Sequence, residues 1–197
     1  MAISISTLRT RVFSRLAADL ASPTYSEIDN ANITIWANEL TSLVTEKLAK
    51  MDAKDELQAL VTIGTSVALS ASGVGSLPSG FAVAMAVKVD ISGTRKSVFR
   101  LYYDPAKFAK WDSSNFILTP TNRKPVALIA GNNVRIKPTS ISTAYVDWAK
   151  EHPDLASNST LYQINGDRML VGLVAARCYD FLEEPDLANN ARKEVGF

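Results

Sequence analysis

Two punctuated segments lie in the middle of the chain, Leu77-Pro78-Ser79-Gly80-Phe81 and Gly131-Asn132-Asn133-Val134-Arg135-Ile136-Lys137-Pro138, with helix-patterned sequence on either side. Proline and glycine stop strands and set turns, so this order restricts the fold to a compact strand-rich insert carried by a helical body. Neither segment carries a chemical motif, which points to a structural part more than to a catalyst.

The helical frame is read from apolar spacing. Leu8, Val12, Phe13, Leu16 and Leu20 recur at three- and four-residue intervals and predict one stripe of a first helix, broken by Ser22-Pro23. Thr24 and Glu27 have the spacing of a capping box, so a second helix is expected to begin there. Ile28, Ala31, Ile35, Leu40, Leu43, Val44 and Leu48 are assigned to its buried side, with Trp36 as the aromatic anchor of an antiparallel helix pair. A third helix is expected from about Gly166 to Leu182, stopped by Pro185, with Leu170, Leu173, Val174, Arg177, Cys178 and Phe181 in helical period. Residues 186–197 are polar around Val195 and Phe197, and read as a frayed terminus or as a tail that orders only against a partner.

Between these helices, β-branched and aromatic runs alternate with Gly, Pro, Ser and Asn. Leu60-Val61-Thr62-Ile63 and Ser66-Val67-Ala68-Leu69 are expected as a strand pair joined by Gly64-Thr65. Phe81 to Val89 is a strand, or a short helix followed by one, and Ser97 to Tyr103 is a strand. Asp104-Pro105 predicts a cap and first helical position. Val126-Ala127-Leu128-Ile129 and Val134-Arg135-Ile136-Lys137 straddle Gly131-Asn132-Asn133, residues that tolerate positive φ, which makes this the sharpest hairpin signal. Ile141 to Trp148 supplies a further strand. The resulting class is α+β, a helical bundle of about three helices with an inserted small antiparallel β-rich module. Residues 1–56 form the helix pair, 57–164 the β-rich module, 165–185 the closing helix and 186–197 the tail.

Several function classes find little support. Lys and Arg number 21 against 20 Asp and Glu, so no long-range field draws the chain to a nucleic-acid backbone. Cys178 is the one cysteine, and its apolar surroundings make it a buried hydrophobe; His152, the one histidine, sits in a turn before Pro153. Dinucleotide and phosphate-loop glycine patterns, GxSxG and HExxH do not occur. The start lacks a signal-peptide pattern and no run is long enough to cross a bilayer, so a cytoplasmic compartment is expected. Catalytic residues, metal ligands and cofactors are accordingly expected to be none. A small carbohydrate-binding or hydrolytic module would need Trp111 or Trp148 in a concave pocket with two carboxylates.

Basic pairs offer contact surfaces instead. Arg11 and Arg15 share a helical face, and Arg135 and Lys137 share a sheet face; partner carboxylates suit them slightly better than nucleic acid, given the near-neutral chain. With these, Trp36, Trp111, Trp148, Val195 and Phe197 are the candidate subunit or partner contacts.

Taken in order, the Thr24-x-x-Glu27 helix opening, Leu77-Pro78-x-x-Phe81, Gly131-Asn132-x-Val134-x-Ile136-x-Pro138, the aromatic stretch from Tyr145 to Pro153 and the helix at about 166–182 resemble the head-to-tail adaptor, or connector, proteins of tailed bacteriophages. Gly80 stands where family members commonly carry an acidic residue. The resemblance covers most of the chain and implies a non-enzymatic virion protein of the neck, made in the host cytoplasm. It further implies a homo-oligomeric ring, most often of twelve subunits, bound to the portal protein and to the tail or a second neck protein, near DNA in the channel and without a membrane. Another neck or tail-completion assembly protein is the alternative.

Overall fold

The computed structural model describes residues 3–20, 28–57, 59–112, 119–155, 160 and 162–197. Among these, the chain is α+β with five α-helices and eight strands. The helices are α1 (Ile5–Asp19), α2 (Asn30–Lys50), α3 (Pro105–Ala109), α4 (Ile164–Phe181) and α5 (Pro185–Glu194). The strands are β1 (Val61–Ala68), β2 (Val74–Ser76), β3 (Phe81–Ile91), β4 (Thr94–Ser97), β5 (Arg100–Tyr102), β6 (Val126–Ala130), β7 (Asn133–Lys137) and β8 (Thr143–Lys150). The chain divides into two compact units, Met1–Leu60 with Glu151–Phe197, and Val61–Lys150.

The helical unit holds four of the five helices, where about three were expected in the whole chain. Ser4 caps α1 by accepting from the Thr7 N–H, and Leu8, Val12 and Leu16 form its buried stripe as their spacing predicts. The expected Thr24–Glu27 box lies outside the described residues; α2 starts at Asn30 behind a reciprocal box between Asp29 and Asn32. The buried side of α2 is Ile33, Ala37, Thr41, Val44, Thr45, Leu48 and Ala49, while Ile35 and Leu43, assigned to it from sequence, are 54% and 44% exposed. Two threonines hide the true stripe from an apolar-spacing argument. Tyr162 explains them: its hydroxyl donates to the Thr41 carbonyl at 2.7 Å and lies 2.8 Å from the Thr45 hydroxyl, so the buried polar groups satisfy one another.

Helix α4 packs its Leu170, Val174 and Cys178 side inward, but Arg177 and Phe181 are exposed. The segment read as a polar tail is instead α5. Pro185 occupies its first turn, Ala188 and Ala191 are buried, and Val195 closes on Gly172 of α4. A Cβ at Gly172 would stand 2.5 Å from Val195 Cγ1, so this approach requires glycine. Small residues, not large apolar ones, carry the packing.

The strand unit contains two four-stranded sheets, ordered β1-β8-β3-β4 and β2-β7-β6-β5. All pairings are antiparallel except β5 with β6. Leu60–Ile63 and Ser66–Leu69 do not pair with each other; Val61 to Ala68 is one strand, bulged between Thr62 and Thr65. Gly64 takes φ +69 in that bulge and turns its N–H onto the Asp147 carboxylate at 2.8 Å. The stretch from Ser97 to Tyr103 is likewise divided between β4 and β5. The β6–β7 hairpin forms where expected, with Ala130 opposite Asn133 and Gly131 at φ +54. Asp104 caps α3 with Pro105 in its first turn. Alternation then sorts the side chains: Ala127, Ile129, Val134 and Ile136 join Val87, Ala144, Val146 and Trp148 in the main core. Val126 and Leu128 point the other way, under Phe108 of α3.

Candidate interaction surface

The candidate contacts fall into two groups with different fates. In the helical unit, Arg11 is exposed, whereas Arg15 is engaged within its own chain. The Arg15 guanidinium donates to Glu194 at 2.7 Å and lies 3.7 Å from Asp19. Burial opposes its charge, but the Glu194 hydrogen bond and charge prevail and hold its pKa above the ordinary arginine value. Tyr179 donates to Asp19 beside this pair. The carboxylate expected for Arg15 from a partner is thus supplied by α5.

Trp36 is half-buried, with its ring 5.7 Å from that of Phe181, and Phe181 is itself 50% exposed. Val195 is half-buried on Gly172, and exposed Phe197 lies under the Lys47 ammonium at 5.0 Å. At the other end of α4, Glu56 receives the N–H groups of Asn165 and Gly166 and the Asn165 side-chain amide. Thr160 donates to buried Asp167 at 2.6 Å. Burial pushes the Asp167 pKa up, against the pull of Thr160 and the positive charge of Arg11. Cys178 is buried, and desolvation pushes its thiol up to about 12, which makes it inert at neutral pH.

In the strand unit, Trp148 is 4% exposed and belongs to the core, where its indole N–H donates to Thr65. Lys137 is also buried, at 6%, with its ammonium 5.0 Å from the Phe108 ring centre; Arg135 lies over the same ring at 5.9 Å. The two-residue spacing does put both on one sheet face, beside Phe108 of α3, but Lys137 is buried there while Arg135 remains exposed. Desolvation holds the Lys137 pKa down. Trp111 is half-buried; its indole donates to the Tyr102 hydroxyl, and Phe99 meets it edge to face at 6.5 Å.

Sequence reasoning missed the polar ladder on β3, β4 and β8. Asp147 accepts from Lys88 at 2.7 Å, Tyr145 donates to Asp90, and the Arg95 guanidinium stacks on Tyr145 at 3.5 Å. Lys88 and Asp90 alternate with the core residues Val87 and Val89, a period-two signal that could have placed them on one face. Two clefts of the strand unit are lined around Asp90 and Ser92 and around Lys96 and Arg123; neither contains a tryptophan. Among the described residues, no cluster of His, Cys, Asp or Glu could hold a metal ion.

The helical unit and the two-sheet unit each use many of their aromatic and charged groups in internal packing and pairing. The family model described as SU10 adaptor protein matches residues 3–195, and the chain belongs to that family. Its function is that of a structural head-to-tail adaptor of the phage neck, and it is not an enzyme. No curated protein matches the chain.

Proposed function

We propose that this adaptor assembles in the host cytoplasm into a homo-oligomeric ring, most often twelve subunits in the resembled family. The ring lies beneath the portal and links it to the tail or to a second neck protein. The supporting observation is the surface of the helical unit, where Ile35, Leu43, Met51, Ile164, Phe181 and Phe197 are each between 39% and 65% exposed. Large apolar side chains left in solvent are available as anchors for burial against a partner. A cyclic ring needs two different faces on each copy, one meeting the other on its neighbour. Of the contacts expected from sequence, Arg11, Arg135 and Phe197 are exposed for this purpose, and Trp36 and Trp111 each keep part of the ring accessible.

The test is to mix the purified chain with its portal and examine the product by mass photometry and negative-stain electron microscopy. Rings stacked on portals are expected; a chain that stays monomeric beside the portal contradicts the proposal.

A further inference from the structure

We infer that neighbouring copies join head to tail, with the acidic turn after α4 of one copy seated in an arginine-lined cleft at the opposite end of α4 in the next. This inference rests on the ring reading above and names its contact.

The cleft is built where α5 ends. Glu194 and Val195 lie beside Arg168 and separate two adjoining hollows. One, of about 200 Å³, is bordered by Arg11, Arg15, Arg168 and Val171. The other, of about 260 Å³, has an apolar wall of Leu48, Met51, Ala53 and Met169. The local carboxylates are already engaged, Glu194 by Arg15 and Glu56 by the start of α4. Arg11 and Arg168 are exposed and form no ion pair with any described residue; Arg11 acts on buried Asp167 through its charge. The site therefore offers two guanidinium groups without an ion-pair partner among the described residues, beside an apolar hollow.

The complementary shape is at the far end of the same helix. Phe181, Glu183, Glu184 and Asp186 are exposed, and none of these carboxylates has an ion-pair partner among the described residues. The turn is rigid: the N–H groups of Leu182, Glu183 and Glu184 donate to the carbonyls of Cys178, Asp180 and Tyr179, and Glu183 is held at φ +60. An apolar ring flanked by carboxylates matches an apolar hollow flanked by guanidinium groups. Arg168 and Phe181 stand about 20 Å apart along the α4 axis at 1.5 Å per residue, so the two cannot meet within one copy. Each copy carries one of each, and the contact is heterologous by construction; the rotation between copies decides whether it closes. Exposed ion pairs contribute little individually, so burial of Phe181 against Met51 supplies the attraction, while the charges fix register and speed encounter.

Two variants of the full chain test this, Arg11→Glu with Arg168→Glu in the cleft, and Glu183→Lys with Glu184→Lys in the turn. All four positions are exposed, and circular dichroism is expected to show both variants folded. Sedimentation velocity and native mass spectrometry, with and without the portal, are expected to show at least tenfold weaker self-association for each variant. An equimolar mixture of the two should recover alternating multimers, because the acidic turn of the cleft variant meets the intact arginine pair of the turn variant, and the reversed turn of the latter meets the reversed cleft of the former. The chain with all four reversals should recover multimers by the second of these contacts alone. Variants that assemble like the wild type overturn this contact and leave the ring reading standing. A cleft variant that keeps self-association but loses the portal also overturns it, by showing that the cleft takes a portal segment. A wild-type chain that remains monomeric with its portal overturns both.

Discussion

The Glu56 carboxylate accepts from the backbone N–H of Asn165 at 3.1 Å, across 109 residues of sequence. It also accepts from Gly166 at 3.2 Å and from the Asn165 side chain at 2.7 Å, and so caps a helix whose own N-cap residue, Gln163, makes no side-chain cap bond. Removing this remote cap by Glu56→Ala should cost about 1 kcal/mol, the usual worth of an N-cap. Urea unfolding measures it, and an unchanged midpoint contradicts the capping role.

Lys88 and Asp147 make a second long-range pair, with Asp147 only 2% exposed and Lys88 at 32%. Asp147→Ala strands the Gly64 N–H, while the half-exposed ammonium can hydrate, so a cost of about 2 kcal/mol is expected. Lys88→Met should cost more, because it leaves a buried carboxylate with the Gly64 amide as its remaining donor. Thermal unfolding of both variants checks the order, and the reverse order would mean that the lysine contributes little.

Gly172→Ala should lift the end of α5 from α4, since the added methyl meets Val195. A destabilisation of roughly 1–3 kcal/mol is expected from overpacking. Hydrogen exchange should quicken over residues 185–197 and stay unchanged in the strands. Equal exchange along the whole chain would show that α5 does not depend on this contact.

The buried Asp167 carboxyl is expected to give the stability a pH dependence. Burial raises its pKa, so the folded state holds the proton more tightly than the unfolded chain does. Its contribution is fully present below the ordinary value of 3.8 and is lost as pH climbs through the raised folded value. Asp167→Asn cannot ionise, and should gain stability relative to wild type as pH rises from the ordinary value of 3.8 through the raised folded value. A difference that stays constant over that range would show that Asp167 titrates normally.

These sites show what could be read in the sequence and what could not. The β6–β7 hairpin and the Asp104-Pro105 helix start were legible because Gly131 and Pro105 act on their immediate neighbours. The apolar stripe of α1 was legible because Leu8, Val12 and Leu16 are all large. The buried face of α2 was not, because Thr41 and Thr45 replace hydrocarbon wherever Tyr162 needs partners. Helix α5 hid behind Ala188 and Ala191, which pack by closeness and not by size, although Leu187, Ala188, Ala191 and Val195 do keep helical spacing. Among the expected contacts, Trp148 and Lys137 were misread because aromatic and cationic side chains look the same in sequence whether they face a core or a partner. Glu56 could not have been found by any local rule.

The most direct measurement is electron cryo-microscopy of intact virions, with density for this chain traced in the neck. The account predicts copies of the chain encircling the channel next to the portal, each touching its neighbours through different faces. Density for the chain in the capsid shell or at the tail tip, away from the neck, would contradict it.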